Sequence, residues 1–125
     1  KVYVFNRTKK AIKTNPRTFY TKEYRLIDDY LLTADLLINT TPINPLNKKQ
    51  IKLIGKKTTI SDIVYTPKET VFLKNFNKNN KIYGITMLIE QAIPCFHHWF
   101  GFKPIVDNKM IKKIYSKIRW QKLLA

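Results

Sequence analysis

Apolar residues in this chain form short unbroken runs that alternate with longer stretches of helical periodicity. The runs are rich in Val, Ile, Leu and aromatic residues, a composition typical of buried strands. Pro, Gly or Asn follows most of them and would end a strand. The pattern predicts strands at residues 2–5, 17–20, 35–39, 58–65 and 81–84.

Between these runs, apolar residues recur every three or four positions, which predicts amphipathic helices. The second helix would be capped by Thr66 and the third would end at Gly101. The predicted helices cover residues 22–33, 67–76, 85–100 and 108–124. We expect residues 9–13 to form a short helix or loop, and the Lys-rich residues 48–56 to form a mobile connection.

Strands that are apolar throughout and alternate with helices indicate a parallel sheet covered by helices on both faces. The predicted fold class is therefore α/β, with an open parallel sheet. A chain of 125 residues is long enough for one such domain. Because a strand begins at Val2 with no turn before it, we expect the chain to start inside a domain. Ligand sites in open sheets lie beyond the carboxyl ends of the strands.

The formal net charge of +16, from 24 Lys and Arg against 8 Asp and Glu, raises the alternative of a basic nucleic-acid-binding module. The lysines are scattered among many Asn, Ile and Tyr residues, as expected from an AT-rich genome, and do not cluster on one helix face. We therefore expect no specific nucleic-acid partner. No apolar run has the length of a membrane span. The single cysteine, Cys95, fits a cytoplasmic protein.

Candidate chemistry begins at the end of the first strand, where the chain reads Asn6-Arg7-Thr8-Lys9-Lys10. In dinucleotide-binding folds, an acidic residue at this position binds the free ribose 2′-hydroxyl. Arg7 instead offers a planar set of donors suited to a 2′-phosphate. This favours NADP over NAD as the cofactor.

Four further sequence blocks lie along the later predicted strands and helices. In one-letter code they are DLLINTTP at 35–42, DIVYTPKET at 62–70, GITMLIEQA at 84–92 and FHHWFG at 96–101. Together with NRT at 6–8, they resemble the cofactor domain of the shikimate dehydrogenase family over residues 2–120. The resemblance implies a partial Rossmann-like domain of an NADP-dependent enzyme that interconverts 3-dehydroshikimate and shikimate.

The resemblance also implies roles for individual residues. Asn6, Arg7 and Thr8 would hold the 2′-phosphate, with Lys9 and Lys10 beside them and Lys10 in the place of the family's basic residue. Thr40 and Thr41 would line the cofactor groove. The nicotinamide would contact Ile63, Gly84 and Met87, and the substrate would contact Tyr65 and Gln91. Met87 and Gln91 are one helical turn apart, so one helix face could reach both ligands.

Other features depart from the family pattern or are absent from these residues. Ile43-Asn44-Pro45 replaces the family's Gly and Met after the Thr-Pro pair, which puts the groove contact there in doubt. A glycine-rich phosphate turn and the substrate domain with its catalytic Lys and Asp are expected upstream of Val2, so we assign no catalytic residue to this chain. His97 and His98 are adjacent on a helix and make poor metal ligands. An NAD-dependent quinate/shikimate dehydrogenase, a decayed remnant of the fold and a homodimer stay open.

Overall fold

The computed structural model of the protein describes residues 1–6 and 19–121. The strands are β1 (Val2–Asn6), β2 (Phe19–Glu23), β3 (Leu36–Asn39), β4 (Thr59–Asp62) and β5 (Lys81–Ile82). The α-helices are α1 (Ile27–Leu31), α2 (Lys48–Leu53), α3 (Val71–Lys74), α4 (Gly84–Phe100) and α5 (Asn108–Gln121). A 3-10 turn, Tyr24–Leu26, leads into α1. The predicted segment at 9–13 lies outside the described residues.

All strand pairs in the described residues are parallel, which confirms the predicted α/β class. β1 pairs with β2, and β3, β4 and β5 pair in that order. The sequence predicts one sheet, but the hydrogen bonds form two groups, because β1 and β3 do not pair with each other. β4 has a partner on each side and is the most buried strand, with Ile60 fully buried.

The core lies on one face of these strands, under α1, α2 and α3. It is a cluster of buried apolar side chains from the helices, the strands and the loops that join them: Ile27, Leu31, Leu46, Ile60, Phe72, Leu73 and Phe76. Leu37 lies opposite Ile60 in the β3–β4 register and packs against this cluster. α1 also reaches β1, because the Tyr30 ring contacts the rings of Tyr3 at 4.5 Å and Phe5 at 5.2 Å.

Two connections differ from the sequence prediction, because side-chain caps fix where their helices begin. The predicted mobile connection at 48–56 contains α2, which starts at a capping box: Asn47 Oδ1 accepts from Gln50 N at 2.9 Å, and Gln50 Oε1 accepts from Asn47 N at 3.1 Å. The helix predicted to start at Pro67 instead starts at Val71. Its N-cap is Thr70, whose hydroxyl accepts from Leu73 N at 3.2 Å.

The first predicted helix is shorter than expected, since β2 extends to Glu23 and leaves only the 3-10 turn and α1. The long third helix is confirmed as α4. It ends at Gly101, which adopts a left-handed φ of 76° and donates its N–H to the carbonyl of His97 at 2.9 Å. Among the described residues, no helix is both long enough and apolar enough to span a membrane.

Candidate functional site

Asn39, at the carboxyl end of β3, organises the turn that carries Thr40 and Thr41. Its side chain is 4% exposed, and its Oδ1 accepts from Thr41 N at 3.0 Å and lies 2.8 Å from Thr41 Oγ1. Its Nδ2 donates to the carbonyls of Thr41 and Ile43 at 3.1 and 3.2 Å. These bonds fix the turn, so the exposed Thr40 and the half-buried Thr41 stand at the strand end.

The residues after this turn take an ordinary backbone conformation. No residue other than glycine has a positive φ among the described residues, so Asn44 is not left-handed. Its Oδ1 accepts from Leu46 N at 3.1 Å, and the Pro45 carbonyl accepts from the Tyr24 hydroxyl. The loop is thus held by the chain's own side chains, without the glycine that the family has there.

Asp62 joins the ends of β3 and β4 from the buried side. It is 1% exposed. Its Oδ2 accepts from Thr70 Oγ1 at 2.6 Å, and its Oδ1 accepts from Val64 N at 3.1 Å and Asn39 Nδ2 at 3.4 Å. A carboxylate with three donors and almost no solvent contact is a structural acceptor rather than a base. It aligns the two strand ends and the start of α3.

Gly84, the first residue of α4, packs directly on the backbone that follows β4. A Cβ at this position would lie 2.5 Å from the Ile63 carbonyl oxygen and 2.7 Å from the Ile63 and Val64 carbonyl carbons. Real Cβ atoms essentially never approach that closely, so only glycine fits. The structure thereby brings together Ile63 and Gly84, two residues assigned to the nicotinamide, and places the start of α4 at the strand ends.

The other predicted residues lie on either side of this junction. Met87 is half-buried and Gln91 is exposed, one turn apart on α4. Tyr65, just after β4, is 45% exposed. In the portion of the chain that the structure describes, neither Tyr65 nor Gln91 uses its side chain in a hydrogen bond, which leaves both polar groups available to a ligand. Asn6 is exposed at the end of β1, while residues 7–10 lie outside the described residues.

Lys68 connects the loop after β4 to α5. Its Nζ lies 5.0 Å from the ring centroids of both Tyr83 and Tyr115. A cation held between two aromatic faces is stabilised by both rings. Partial burial, together with nearby Tyr83, raises the pKa of Tyr115 above its ordinary value. The contact fixes α5 beside the start of α4.

Glu69, one residue further along, forms an ion pair with Lys81 at the start of β5. The hydrogen bond from Lys81 is the main cause that lowers the pKa of Glu69 below its ordinary value of 4.5. A lowered carboxyl pKa stabilises the folded state above the unfolded pKa, and this contribution is lost as the pH falls through the folded pKa. The pair therefore ties β5 to the loop after β4 at neutral pH and ceases to do so in acid.

We expect Glu69→Gln to reduce the free energy of unfolding at pH 7 and to match the unsubstituted chain once the pH is well below the ordinary carboxyl pKa. Urea unfolding at a series of pH values measures the difference. Glu90→Gln is the control, because Glu90 is exposed and has no ion pair in the described chain. A Glu69→Gln deficit that persists unchanged in acid would rule out the ion pair as its source.

Asn39 and Asp62 are site residues that sequence reasoning did not assign as a pair. The sequence shows Asn at the end of one predicted strand and Asp within the next, and only the strand register brings their side chains together. The packing of Lys68 between two tyrosines has no sequence signal either. Among residues 1–6 and 19–121, no three His, Cys, Asp or Glu side chains are grouped in a way that could hold a metal ion.

No family model matches the chain. A shikimate dehydrogenase (NADP(+)) from Methanococcus maripaludis is 35% identical over 124 residues, which is 89% of this chain and 41% of that protein. The chain is a homologue of the shikimate dehydrogenases. It spans less than half the length of the curated shikimate dehydrogenases that it matches.

Solved structures agree with this relationship. Shikimate dehydrogenase 1 from Peptoclostridium difficile superimposes with a TM-score of 0.65 at 27% identity, over 97% of this chain and 46% of that chain. A quinate dehydrogenase from Corynebacterium glutamicum in complex with NAD gives a TM-score of 0.67 at 28% identity, over 78% of this chain and 36% of that chain. These matches confirm the Rossmann-like fold predicted for this chain.

Proposed function

We propose that the chain forms most of the NADP-binding domain of an enzyme that reversibly reduces 3-dehydroshikimate to shikimate. The observation that carries the proposal is the junction of Gly84 with Ile63 and Val64, a backbone contact that excludes any Cβ. This junction places the start of α4 beside the carboxyl ends of the strands, where an open parallel sheet binds its ligand. Met87 then lies one turn into the helix.

The described residues fit a dinucleotide at this edge. Thr40 offers a hydroxyl group on a turn held by Asn39, beside Thr41, whose own hydroxyl donates to Asn39 Oδ1. The half-buried Met87 offers a polarisable thioether to an aromatic ring. Asn6, at the end of β1, leads to Arg7, Thr8, Lys9 and Lys10, which would hold the 2′-phosphate. Bound NADPH would supply the hydride for reduction of the ketone.

Tyr65 and Gln91 are proposed to orient the substrate. Both are exposed, and both carry a polar group at the end of the side chain. The glutamine amide can hydrogen-bond a ring hydroxyl, and the tyrosine hydroxyl can bind near the carboxylate or the ring. The proton that accompanies the hydride would come from groups outside residues 1–125. Because the chain spans 41% of the Methanococcus maripaludis relative, the glycine-rich turn and the substrate domain would also lie outside these residues.

The cytoplasm is the proposed location, on the basis of a single cysteine, Cys95, among the 125 residues. A small-molecule substrate is the proposed partner, and the scattered lysines are attributed to codon bias in an AT-rich genome rather than to nucleic-acid binding. NAD-dependent quinate or shikimate oxidation is the second candidate function, since one similar solved structure is a quinate dehydrogenase in complex with NAD. The choice between the cofactors depends on Arg7.

A chimera can test the cofactor, with residues 1–125 in place of the aligned stretch of the Methanococcus maripaludis enzyme. Arg7→Ala should weaken NADPH binding by about 1.5–3 kcal/mol, the range for hydrogen bonds to charged groups, and leave NADH binding nearly unchanged. Arg25→Ala is the matched control, because Arg25 is a surface residue paired with Glu23. Dissociation constants for both cofactors give the answer. Equal losses for NADPH and NADH would show that Arg7 does not bind the 2′-phosphate.

The same chimera tests the substrate contacts. Gln91→Ala should lower kcat/KM for shikimate, because a substrate hydroxyl loses its partner. The decrease should correspond to a loss of about 1–3 kcal/mol in transition-state stabilisation. NADPH affinity should be retained. Tyr65→Phe should have a milder effect, since its ring remains. Glu90→Ala, at the neighbouring exposed position on α4, should leave shikimate kinetics unchanged. A parallel loss of NADPH and shikimate affinity in Gln91→Ala would contradict the assignment.

A further inference from the structure

Tyr65 lies on a short span of the loop between β4 and α3 that is held at both ends. On its amino-terminal side, Val64 N donates to the buried Asp62 Oδ1 at 3.1 Å, and the start of α4 packs on the Val64 carbonyl carbon. On its carboxyl-terminal side, Lys68 contacts two tyrosine rings. Among the described residues, no hydrogen bond, ion pair or ring contact involves residues 65–67. The position of Tyr65 therefore depends on what holds the two ends.

Both ends are held by the same element, the start of α4. Gly84, the first residue of the helix, forms the close backbone contact with Val64. Tyr83, the N-cap residue of the helix, places its ring centroid 5.0 Å from Lys68 Nζ. Two adjacent residues thus hold the loop on either side of Tyr65. The loop is consequently fixed relative to the helix that carries the other predicted substrate contact.

The second ring that contacts Lys68 belongs to Tyr115, on α5. Its centroid also lies 5.0 Å from Lys68 Nζ, within the range at which an ammonium group is attracted to the face of an aromatic ring. Lys68 is exposed, and an exposed lysine gains little from a contact with a single ring. Two rings attract the same charge and restrict its otherwise flexible side chain. We call Lys68, Tyr83 and Tyr115 the lysine clamp.

We propose that Lys68 is a positioning residue for the substrate, because the lysine clamp holds the loop in the conformation that presents Tyr65 at the carboxyl ends of the strands. Lys68 acts through Tyr65 and does not itself touch the substrate. The substrate contact of Tyr65 rests on the proposed function, whereas the ordering of the loop rests on the contacts of the clamp alone. A lysine that only attached α5 would stabilise the chain and leave Tyr65 unaffected.

The ordering of the loop can be measured on the 125-residue chain by nuclear magnetic resonance relaxation of its backbone amides. The order parameters of Tyr65 and Thr66 should be about 0.85 in the unsubstituted chain and fall below about 0.6 in Lys68→Met, which keeps an apolar stem but loses the charge. Lys68→Arg should keep the order, because a guanidinium also stacks on aromatic rings. Lys78→Met is the matched control, because Lys78 is exposed and contacts no ring or carboxylate among the described residues.

Variants on α5 test the clamp from its other side. Tyr115→Leu removes one ring and should mobilise Tyr65 as Lys68→Met does, whereas Tyr115→Phe keeps the ring and should resemble the unsubstituted chain. The double variant of Lys68→Met with Tyr115→Leu should mobilise Tyr65 no more than either substitution alone, since both act on one contact. Unchanged order parameters at Ile60, in the core of β4, show that the fold is retained.

Kinetics of the Methanococcus maripaludis chimera test the effect on the substrate. Lys68→Met should raise KM for shikimate by about threefold or more, without exceeding the increase caused by Tyr65→Phe, and leave the dissociation constant of NADPH unchanged. In the Tyr65→Phe background it should have no further effect, because the hydroxyl that it positions is gone. A purely structural lysine would act equally in both backgrounds.

Unchanged order at Tyr65 in Lys68→Met, or an equal rise in KM with and without the Tyr65 hydroxyl, would overturn the proposal. A Tyr65 that is mobilised as expected, in a chimera that does not turn over shikimate at all, would refute the proposed function and leave the ordering of the loop by the clamp established.

Discussion

Replacing Gly84 by alanine should lower the free energy of unfolding of the chain by about 3 kcal/mol, the upper part of the range for an overpacked site. The added Cβ would lie 2.5 Å from the Ile63 carbonyl oxygen, and its other neighbours are also backbone atoms that cannot rotate away. Alanine is otherwise the better helix former by about 1 kcal/mol, so a loss can come only from the steric conflict. Urea unfolding followed by circular dichroism measures the change.

Gly55→Ala provides the control for this substitution. The nearest heavy atom to a Cβ at Gly55 is Thr58 Oγ1 at 3.6 Å, an ordinary contact. Its stability should change by about 1 kcal/mol or less. If Gly84→Ala were as stable as Gly55→Ala, the close contact between the start of α4 and the end of β4 would not exist, and the geometric basis of the proposed nicotinamide site would be lost with it.

Asp62→Ala should destabilise the chain by about 3 kcal/mol or more, since several buried donors lose a charged acceptor together. Thr70 Oγ1 and Val64 N would keep no acceptor in place of the carboxylate, and Asn39 would lose one of its partners. Asp62→Asn keeps the shape but replaces an acceptor oxygen with a donor. The free energy of unfolding of Asp62→Asn should fall between those of the native chain and of Asp62→Ala.

Asp35→Ala is the comparison for the aspartate, because Asp35 is exposed just before β3 and its carboxylate forms no ion pair among the described residues. Its urea midpoint should stay close to that of the unsubstituted chain. An Asp62→Ala chain with an equally small change would mean that the strand ends are aligned by packing rather than by the carboxylate.

Apolar runs and helical periodicity were sufficient to predict β3, β4 and the long helix α4, because buried positions are filled by apolar residues. Caps were harder to predict. The sequence predicts Thr66 as the cap because Pro67 suits a first helical position. Thr70 is the cap in the structure, where its hydroxyl also donates to Asp62, a residue eight positions away that only the folded chain brings near.

The Lys-rich stretch at 48–56 shows a second limit. Its lysines indicate a solvated connection, yet Ile51 and Leu53 pack on the core and Asn47 caps the helix. The many charged residues on its outer face made the apolar face of this short amphipathic helix hard to recognise in the sequence. The lack of pairing between β1 and β3 has no local sequence signal either, since pairing between strands is a long-range property. The motif blocks predict Ile63, Gly84 and Met87 as nicotinamide contacts, and this assignment stays a prediction. The bonds of Asn39, by contrast, follow only from the strand register.

The buried carboxylate of Asp62 also constrains how this sequence can change over evolutionary time. Asn39 and Thr70 each contribute one donor to it, and each also forms bonds of its own, Asn39 within the turn after β3 and Thr70 at the cap of α3. A substitution at position 62 removes every bond in a single step. Positions 39, 62 and 70 should therefore change together rather than singly along the lineages of this fold, because a substitution at any one of them leaves buried partners unpaired.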